Sequence, residues 1–302
     1  MSTLALRSNE TRGMLLGLVG VAMFAMTLPM TRLAVAALDP VWLAFARAEG
    51  AALLAAIALL ASRSERPERR HWPALAATAG GVVLGFPLFS SIAMRHTDAS
   101  HGAVITGLMP LATALIATRL AGERPSRGFW IAAIAGSLLV CAFALREGAG
   151  RIGAGDLAML AAVVTGAAGY AWGGRLAREL GGWQTIAWVL VFSAPVLALP
   201  TLWLSLRADF AGAGLPAWSG FLWVTVFSQF VGFFFWYGGM AIGGVARVSQ
   251  VQLLQLFMTL VFAAWIGGER VDAWTWAVAA AVVAIVAAGR RAPVKSLPMT
   301  AR

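Results

Sequence analysis

The sequence predicts an all-α membrane protein with ten transmembrane helices arranged as two inverted five-helix repeats. Three observations support this prediction: the composition, a series of long apolar runs and an internal duplication. Hydrophobic residues make up 60% of the 302 residues and charged residues 12%, with a mean hydropathy of +0.79. Soluble domains carry about 25% charged residues. So few charges cannot cover a water-soluble globule of this length, and lipid must surround much of the chain.

The apolar runs are long enough to cross a bilayer, which takes about 20 mostly apolar residues for a hydrocarbon layer of about 30 Å. Charged residues, glycine or proline bound each run, and the loops between the runs are too short for a soluble domain. The predicted spans are 13–35, 41–61, 73–94, 101–121, 128–145, 156–174, 183–205, 217–240, 247–266 and 273–289.

The positive charge is distributed unevenly between the two sides of these runs. Sixteen of the 23 basic residues fall on one side, and Arg47 lies within a run. Six fall on the other side: Arg32, Arg95, Arg146, Arg151, Arg207 and Arg270. Because lysine and arginine collect on the cytoplasmic side of membrane helices, we expect both termini of the chain to lie in the cytoplasm. The net charge of +10 is scattered over loops and tail, which argues against nucleic acid as a partner.

An internal duplication divides the chain into two units, residues 1–150 and residues 151–302. Gly122-Glu123-Arg124 recurs 146 positions later as Gly268-Glu269-Arg270, and each copy closes one apolar run and opens another. Each unit holds five runs, so the two units enter the membrane from opposite sides. Inverted repeats are typical of secondary transporters, whose binding site lies near the midplane between the halves.

The sequence resembles the EamA family of the drug/metabolite transporter superfamily. Arg47 matches the arginine of that family's second helix, Pro110 the proline of its fourth helix, and the two Gly-Glu pairs the turn before its fifth helix. The second repeat departs from the pattern, because Leu256 replaces the proline and the seventh run lacks an arginine. Within the family the chain looks most like the YddG-type exporters, which move aromatic and other neutral amino acids outward. The resemblance therefore implies amino-acid export across the cell inner membrane by alternating access.

Polar residues inside the predicted spans are candidate binding groups, because such groups are costly in lipid unless they face protein or water. In the ninth run they form one helical stripe that could line a cavity: Ser249, Gln252, Gln255 and Thr259. The same side chains make interhelical hydrogen bonds in other bundles, so both roles stay open. Pro110 is expected to kink the fourth helix. Arg47 is expected to snorkel or to hold helices together, and Glu123 and Glu269 to be structural.

Aromatic residues in four runs could receive an apolar side chain by stacking. The predicted substrate-binding aromatics are Phe24, Phe86, Tyr170, Trp172, Trp236 and Tyr237, with Phe89 as a further candidate. Core packing or lipid contact is the alternative role for each. His101, at the start of the fourth run, is a candidate gate or proton relay, or else an interfacial polar residue.

No enzyme chemistry is expected. The sequence holds no G-x-x-x-x-G-K-[ST] motif for ATP, and its three histidines, His71, His96 and His101, lack a metal-ligand spacing. We therefore predict no cofactor, no metal, a small-molecule substrate, membrane lipid as the surroundings and a monomer. Two alternatives stay open: export of another small metabolite or drug-like compound, and a membrane enzyme acting on a lipid-linked substrate.

Overall fold

The computed structural model describes residues 3–120, 124–125, 127–147, 151–243, 248–291 and 294–295. The first repeat contains, in chain order, α1 (Thr3–Ala25), α2 (Thr27–Val35), α3 (Pro40–Ala61), a 3-10 turn (Arg69–His71), α4 (Trp72–Thr78), a first π-helix (Ala79–Gly85), α5 (Phe86–His96), α6 (Ala99–Thr106), α7 (Met109–Leu120), β1 (Arg124–Pro125) and α8 (Arg127–Glu147). The second contains α9 (Ala154–Leu180), α10 (Gly182–Ser205), α11 (Leu215–Trp223), a second π-helix (Val224–Val231), α12 (Gly232–Gly243), a 3-10 turn (Ser249–Gln252), α13 (Leu253–Gly267), α14 (Ala273–Arg291) and β2 (Val294–Lys295). Apart from the two-residue antiparallel pairing of β1 with β2, the described residues form a helical bundle.

The described residues of each predicted span are mainly helical, but the spans differ in length. Seven stretches of the described residues are long and apolar enough to cross a membrane: Thr11–Val35, Pro40–Ala61, Arg69–His96, Ala99–Leu120, Ala154–Leu180, Gly182–Ser205 and Leu215–Gly243. Three further apolar helices are shorter, and each overlaps one of the remaining predicted runs: Trp130–Arg146, Leu253–Gly267 and Ala273–Ala288. The multi-pass helical architecture is confirmed, whereas the count of ten crossings stays a prediction.

Helix starts in the bundle follow ordinary capping chemistry. Asp39 precedes α3, and its carboxylate accepts hydrogen bonds from the backbone N–H groups of Val41 (2.9 Å) and Trp42 (2.8 Å). Pro40 occupies the first position of that helix, where its missing N–H costs nothing. At the start of α9, Asp156 accepts from the N–H of Gly153 at 2.8 Å. These acidic residues fix where both helices begin.

The two repeats share two local departures from α-helical geometry. An offset of 146 residues carries the first π-helix onto residues 225–231, which lie inside the second π-helix. The same offset carries Thr106, the last residue of α6, onto Gln252, the last residue of the 3-10 turn before α13. Each repeat therefore has a π-helix in its third predicted span and an interruption in its fourth. Both features are frequent at functional sites of membrane transporters and enzymes.

The most extensive helix contacts join one repeat to the other: α1 packs on α12, α3 on α10 and α5 on α9. Glycine makes the closest approaches possible. A Cβ added at Gly13 would lie 2.6 Å from the Cα of Gly243, and one at Gly81 would lie 2.5 Å from the Cα of Gly169. Because no side chain fits at these crossings, the backbones touch directly, as small-residue motifs allow in membrane bundles.

The outer surface of the bundle is apolar and the polar side chains are concentrated inside. Leu60 is 79% exposed and Trp265 is 77% exposed, whereas Arg47 and Gln229 are each 1% exposed. A water-soluble protein shows the opposite distribution. Lipid around the helices accounts for this arrangement, since exposed apolar side chains match hydrocarbon.

Candidate functional site

A cavity lies at the centre of the bundle, between helices of both repeats. We call it the central cavity. Its lining consists of aromatic rings, one arginine and a few neutral polar groups: Phe24, Thr27, Arg47, Val82, Phe86, Met109, Tyr170, Ser228, Gln229, Phe233 and Gln255. Both π-helices contribute to it, and the Gln229 side-chain amide donates a hydrogen bond to the carbonyl of Val82 at 2.9 Å. The irregular turns of the two repeats thus meet directly at this cavity.

Aromatic rings from α1, α9 and α12 form one cluster at this cavity. Phe24 lies 4.9 Å from Phe233 and 6.4 Å from Tyr170, measured between ring centroids. Trp236 lies 5.7 Å from Tyr170, and Tyr237 lies 5.2 Å from Phe233. These separations fall within the usual range for favourable aromatic pairs. The cluster therefore gives the cavity an apolar wall that could hold a large side chain.

Arg47 forms the polar side of the cavity. It is 1% exposed and lies in the middle of α3. Its Nη2 donates to the hydroxyl of Ser228 at 2.9 Å, and that hydroxyl shares a second hydrogen bond of 2.8 Å with the hydroxyl of Thr27. The expectation that Arg47 holds helices together agrees with this contact. Snorkelling is wrong for this residue, because its guanidinium points into the bundle and is buried there.

A smaller neighbouring cavity adjoins the central cavity, and Met109 and Gln255 line both. Gln252 lies in its wall and donates to the sulfur of Met109 at 3.6 Å. The side-chain oxygens of Gln252 and Gln255 are buried and have no hydrogen-bond partner. Pro110 also lines this cavity, as the second residue of α7 after the helix interruption at residues 107–108. The glutamines therefore offer two unused acceptors beside the aromatic wall.

The site is closed in this conformation. The central cavity measures about 20 Å³ and its neighbour about 10 Å³, which is room for about one water molecule in each. Small-molecule sites usually measure roughly 300–1,000 Å³. A small molecule of ordinary size does not fit either cavity as the side chains lie here, so binding would require lining side chains to move apart.

A second, much larger pocket opens at the end of the bundle where α6, α9 and α14 begin. We call it the end pocket. Its volume is about 690 Å³, and its lining is strongly charged, with Arg32, Arg95, Arg151 and Arg270 among the residues. These four arginines were all predicted on the side with fewer basic residues, and they do share one end of the bundle. Asp272 also lines the pocket, and hydrogen bonds from the side chain and backbone of Thr275 lower the pKa of its carboxyl.

His101 lies in the end pocket, away from the central cavity. Its Nε2 is 2.5 Å from a carboxylate oxygen of Asp156, and its ring centroid lies 5.0 Å from that of Phe143. The same Asp156 accepts from the Gly153 backbone at the start of α9. The histidine is thus tied to a helix start at the mouth of the bundle, and its role as gate or proton relay stays a prediction.

Glu269 joins the two repeats at the same end. Its two carboxylate oxygens accept hydrogen bonds of 2.8 Å from the backbone N–H groups of Ala99 and Ser100, the first residues of α6. Gly268, with φ of +65°, ends α13 and turns the chain so that Glu269 faces this helix. Arg32 approaches the same carboxylate at 3.5 Å. The structural role predicted for Glu269 is that of a helix cap; Glu123 lies outside the described residues.

Comparison with known proteins shows the family to which this helical bundle belongs. The EamA-like transporter family matches residues 11–145 and 153–288, one match in each repeat. The chain belongs to this family. A relative from Bacillus subtilis (strain 168), described as "Uncharacterized transporter YdeK", is 44% identical over 284 residues, which cover 94% of this chain and 99% of the relative. This EamA-like protein is therefore a transporter, and the predicted resemblance to the family is confirmed.

A solved structure described as "Crystal structure of protein" shares the fold of this EamA-like transporter. Its TM-score is 0.64 at 18% identity, and the match covers 92% of this chain and 97% of that chain. The relative's description gives no cargo. The resemblance to YddG-type exporters, the amino-acid cargo and the outward direction are therefore not confirmed, and they are carried into the proposal below.

The structure brings together most, but not all, of the predicted binding residues of this transporter. Phe24, Phe86, Tyr170 and Gln255 line the central cavity, while Gln252 and Pro110 line its neighbour. Trp236 and Tyr237 belong to the aromatic cluster, where they are fully buried behind the rings that line the central cavity. Trp172 is half-buried and lines neither cavity, and Phe89 is half-buried in the core. Ser249 begins the 3-10 turn, but its side chain lies outside the described part of the chain.

Several lining residues were not predicted from the sequence: Thr27, Ser228, Gln229 and Phe233, with Arg47 assigned a structural role only. A signal for two of them was present, because Ser228-Gln229 interrupts an otherwise apolar run. The general rule that a charge inside a span marks a functional site would have predicted Arg47 as a binding residue. Among the described residues, no group of three or more histidine, cysteine or acidic side chains could hold a metal ion.

Proposed function

We infer that this transporter exports neutral amino acids with aromatic or other apolar side chains across the cell inner membrane. The proposal includes the finer predictions made above: ten crossings as two inverted repeats, cytoplasmic termini, and alternating access around the central cavity. The observation that carries it is the composition of the cavity wall, in which aromatic rings face neutral and cationic polar groups at the interface of the repeats. Such a wall suits a small molecule with an apolar body and a polar head.

The aromatic cluster would receive the amino-acid side chain. Phe24, Tyr170 and Phe233 come from helices of both repeats and are mutually in contact. Aromatic stacking and apolar burial favour a ring-bearing or branched side chain there. Because this contact bridges the repeats, a cargo that binds it can be passed from one open side to the other as the repeats move.

The glutamines would bind the ammonium group of the cargo. The side-chain oxygens of Gln252 and Gln255 are buried acceptors without a partner, and an ammonium group supplies three donors. A buried acceptor left unsatisfied costs about 1–3 kcal/mol. Binding of an ammonium group at these oxygens removes that cost, so the site gains more from a zwitterion than from an uncharged apolar compound.

Transport in liposomes tests the proposal. Purified protein is reconstituted, and counterflow of labelled phenylalanine, leucine and alanine is measured with and without a proton gradient. We expect counterflow of phenylalanine and leucine, a reduced rate for Gln252→Ala and Gln255→Ala, and a wild-type rate for Ser193→Ala. Ser193 is a matched control, because it is buried but bonds only to the carbonyl of Leu190 in its own helix.

The outcomes separate the parts of the proposal. If no amino acid shows counterflow while the protein is folded, amino-acid export is refuted, and a metabolite or drug-like cargo takes its place. If both glutamine variants transport at the wild-type rate, the cargo stands but the ammonium site is wrong. A gradient-dependent rate would indicate proton coupling, for which the His101–Asp156 pair is the first residue pair to substitute.

A further inference from the structure

We propose that the guanidinium of Arg47 is the receptor for a carboxylate of the cargo, so that the transporter selects acids and amino acids and rejects the corresponding amines and amides. This inference rests on the proposed function of the central cavity. The inference goes beyond that function by assigning recognition of the carboxylate to one residue. It also gives a reason for a buried charge inside a membrane-spanning helix, where charges are costly.

The hydrogen bonding of Arg47 is incomplete. Arginine carries five N–H donors. The hydrogen bond from Nη2 to Ser228 uses one of them, whereas Nε and Nη1 are buried and have no partner. Three donors, one on Nε and two on Nη1, are therefore free in the part of the chain that the structure describes. A residue that served only to hold helices together would direct these donors to carbonyls of neighbouring helices.

Within the described part of the chain, no protein charge balances Arg47. Among the described side chains, no carboxylate lies within ion-pairing distance of its guanidinium. Glu49, two positions along the same helix, faces another direction, and its own Oε1 is buried without a partner. Arginine stays protonated in proteins, and a buried charge without a counter-ion is strongly unfavourable. The site therefore favours an anion delivered from outside.

The groups next to Arg47 suit a carboxylate rather than a cation. Ser228 and Thr27 carry hydroxyls, which can donate to an anionic oxygen, and both line the central cavity with Arg47. The planar guanidinium fork matches the two oxygens of a carboxylate. An amine placed in the same cavity would meet a like charge at short distance in a low-dielectric interior, which disfavours it.

The position of Arg47 also fixes how the cargo lies. Phe24, Tyr170 and Phe233 form the apolar side of the same cavity, while Gln255 supplies an unused acceptor oxygen. A zwitterion with an apolar side chain matches all three parts of the cavity at once. Its carboxylate meets Arg47, its ammonium group meets Gln255, and its side chain meets the rings. Loss of its carboxylate leaves Arg47 unpaired, and this penalty discriminates more strongly than loss of apolar contact.

Competition in proteoliposomes tests the assignment. Counterflow of labelled phenylalanine is measured against four unlabelled compounds: phenylalanine, 3-phenylpropionate (the acid without the amine), phenethylamine (the amine without the acid) and phenylalanine amide. We expect competition by the two carboxylates and none by the amine or the amide. Arg47→Gln should raise the half-saturating concentration of phenylalanine by about 30-fold or more, and Arg47→Lys should raise it less because it keeps the charge.

Matched variants keep the test interpretable. Arg207→Lys, at an exposed arginine that stacks on Trp203, and Ser193→Ala should both transport as the wild type does. If Arg47→Gln does not fold, Arg47→Lys and Ser228→Ala supply the comparison. Arg47→Lys keeps the positive charge but removes the guanidinium fork, and Ser228→Ala removes the hydrogen-bond partner of the guanidinium. Equal competition by amine and acid, or an unchanged half-saturating concentration in every folded Arg47 variant, overturns the proposal.

Thermal stabilisation by ligands separates this inference from the proposed function. The unfolding midpoint of wild type and Arg47→Lys is measured with a panel of millimolar carboxylates and amines. If no amino acid is transported but carboxylates stabilise the wild type more than Arg47→Lys, amino-acid export fails and the carboxylate receptor stands. If carboxylates and amines stabilise both proteins alike, or stabilise neither, the carboxylate receptor fails whatever the transport assay shows.

Discussion

Glu269 is the residue whose loss should most clearly weaken the contact between the repeats. Its carboxylate accepts two hydrogen bonds of 2.8 Å at the start of α6, and its side chain is only 8% exposed. Ala99, one of the two donors, is fully buried. When Glu269 is changed to alanine, the buried N–H of Ala99 therefore loses an acceptor that water replaces poorly.

The size of the effect follows from these contacts. A hydrogen bond to a charged group contributes about 1.5–3 kcal/mol, so two of them give an upper bound of about 6 kcal/mol. Replacing an ordinary helix cap costs about 0.5–2 kcal/mol. The pair with Arg32 adds little, because that side chain is 37% exposed and exposed ion pairs contribute roughly 0–1 kcal/mol. We expect a loss of about 3 kcal/mol for Glu269→Ala and about half of that for Glu269→Gln, which keeps one acceptor.

Thermal unfolding in detergent, followed by tryptophan fluorescence, measures this loss. At roughly 2 °C per kcal/mol for a chain of this size, the midpoint should fall by about 6 °C for Glu269→Ala. Glu68→Ala is the control, because Glu68 pairs only with Arg70 and both side chains are 68% exposed. A Glu269→Ala midpoint within about 1 °C of the wild type, or equal to that of Glu68→Ala, would refute the capping argument.

Three further predictions concern packing, pH and a hydroxyl. Gly13→Ala should destabilise the fold by about 1–3 kcal/mol, because the added Cβ would meet backbone atoms at 2.6 Å. Gly80→Ala should not destabilise it, because a Cβ there would have nothing within 4 Å. Thermal unfolding of both variants checks this. Hydrogen bonds lower the pKa of Asp272, so its stabilisation is present above the unfolded-state pKa near 3.9 and is lost as pH falls through the lower folded value. The midpoint difference between wild type and Asp272→Ala should accordingly close below about pH 4. Tyr237→Phe should cost less than about 1 kcal/mol in chemical unfolding, because its hydrogen bond to the Gly169 carbonyl is 3.4 Å long.

Each of these predictions has a result that contradicts it. Equal midpoints for Gly13→Ala and Gly80→Ala would mean that the α1–α12 crossing can relax. A constant difference between wild type and Asp272→Ala from pH 7 to pH 3 would mean that its charge has no part in the stabilisation. A loss above about 2 kcal/mol for Tyr237→Phe would give its hydroxyl a partner other than Gly169.

The bundle could be predicted from the sequence because hydropathy and duplication act over long stretches. The described residues of each predicted run are mainly helical, and the offset of 146 that was found from Gly-Glu-Arg also superimposes the π-helices and the interrupted helices. The contacts that bridge the two repeats were harder to predict, because they depend on which faces of the helices pack against each other. Phe24 and Tyr170 were found as aromatics in the middle of spans, but Phe233 could be recognised only once α12 was placed against α1.

Arg47 shows why the polar side of the site could not be predicted in full. From the sequence, a lone arginine in a span has two inexpensive positions, at the interface or against carbonyls of another helix. Its actual partner, Ser228, lies 181 residues away on the second π-helix. A π-helix has i→i+5 hydrogen bonds, so its side chains point in directions that differ from those of an α-helix. Hydropathy does not report this difference.

The contacts across the repeats also bear on how the protein is made. The faces of α1, α3 and α5 are each covered by a helix of the second repeat, so the first repeat, which the family matches at residues 11–145, does not bury these faces by itself. During synthesis the helices of the first repeat form before their packing partners exist, and we expect their glycine-lined faces to contact lipid until then. We therefore expect stable tertiary structure to form only when α12 packs on α1. Two separately expressed halves should accumulate only when they are produced together in one membrane.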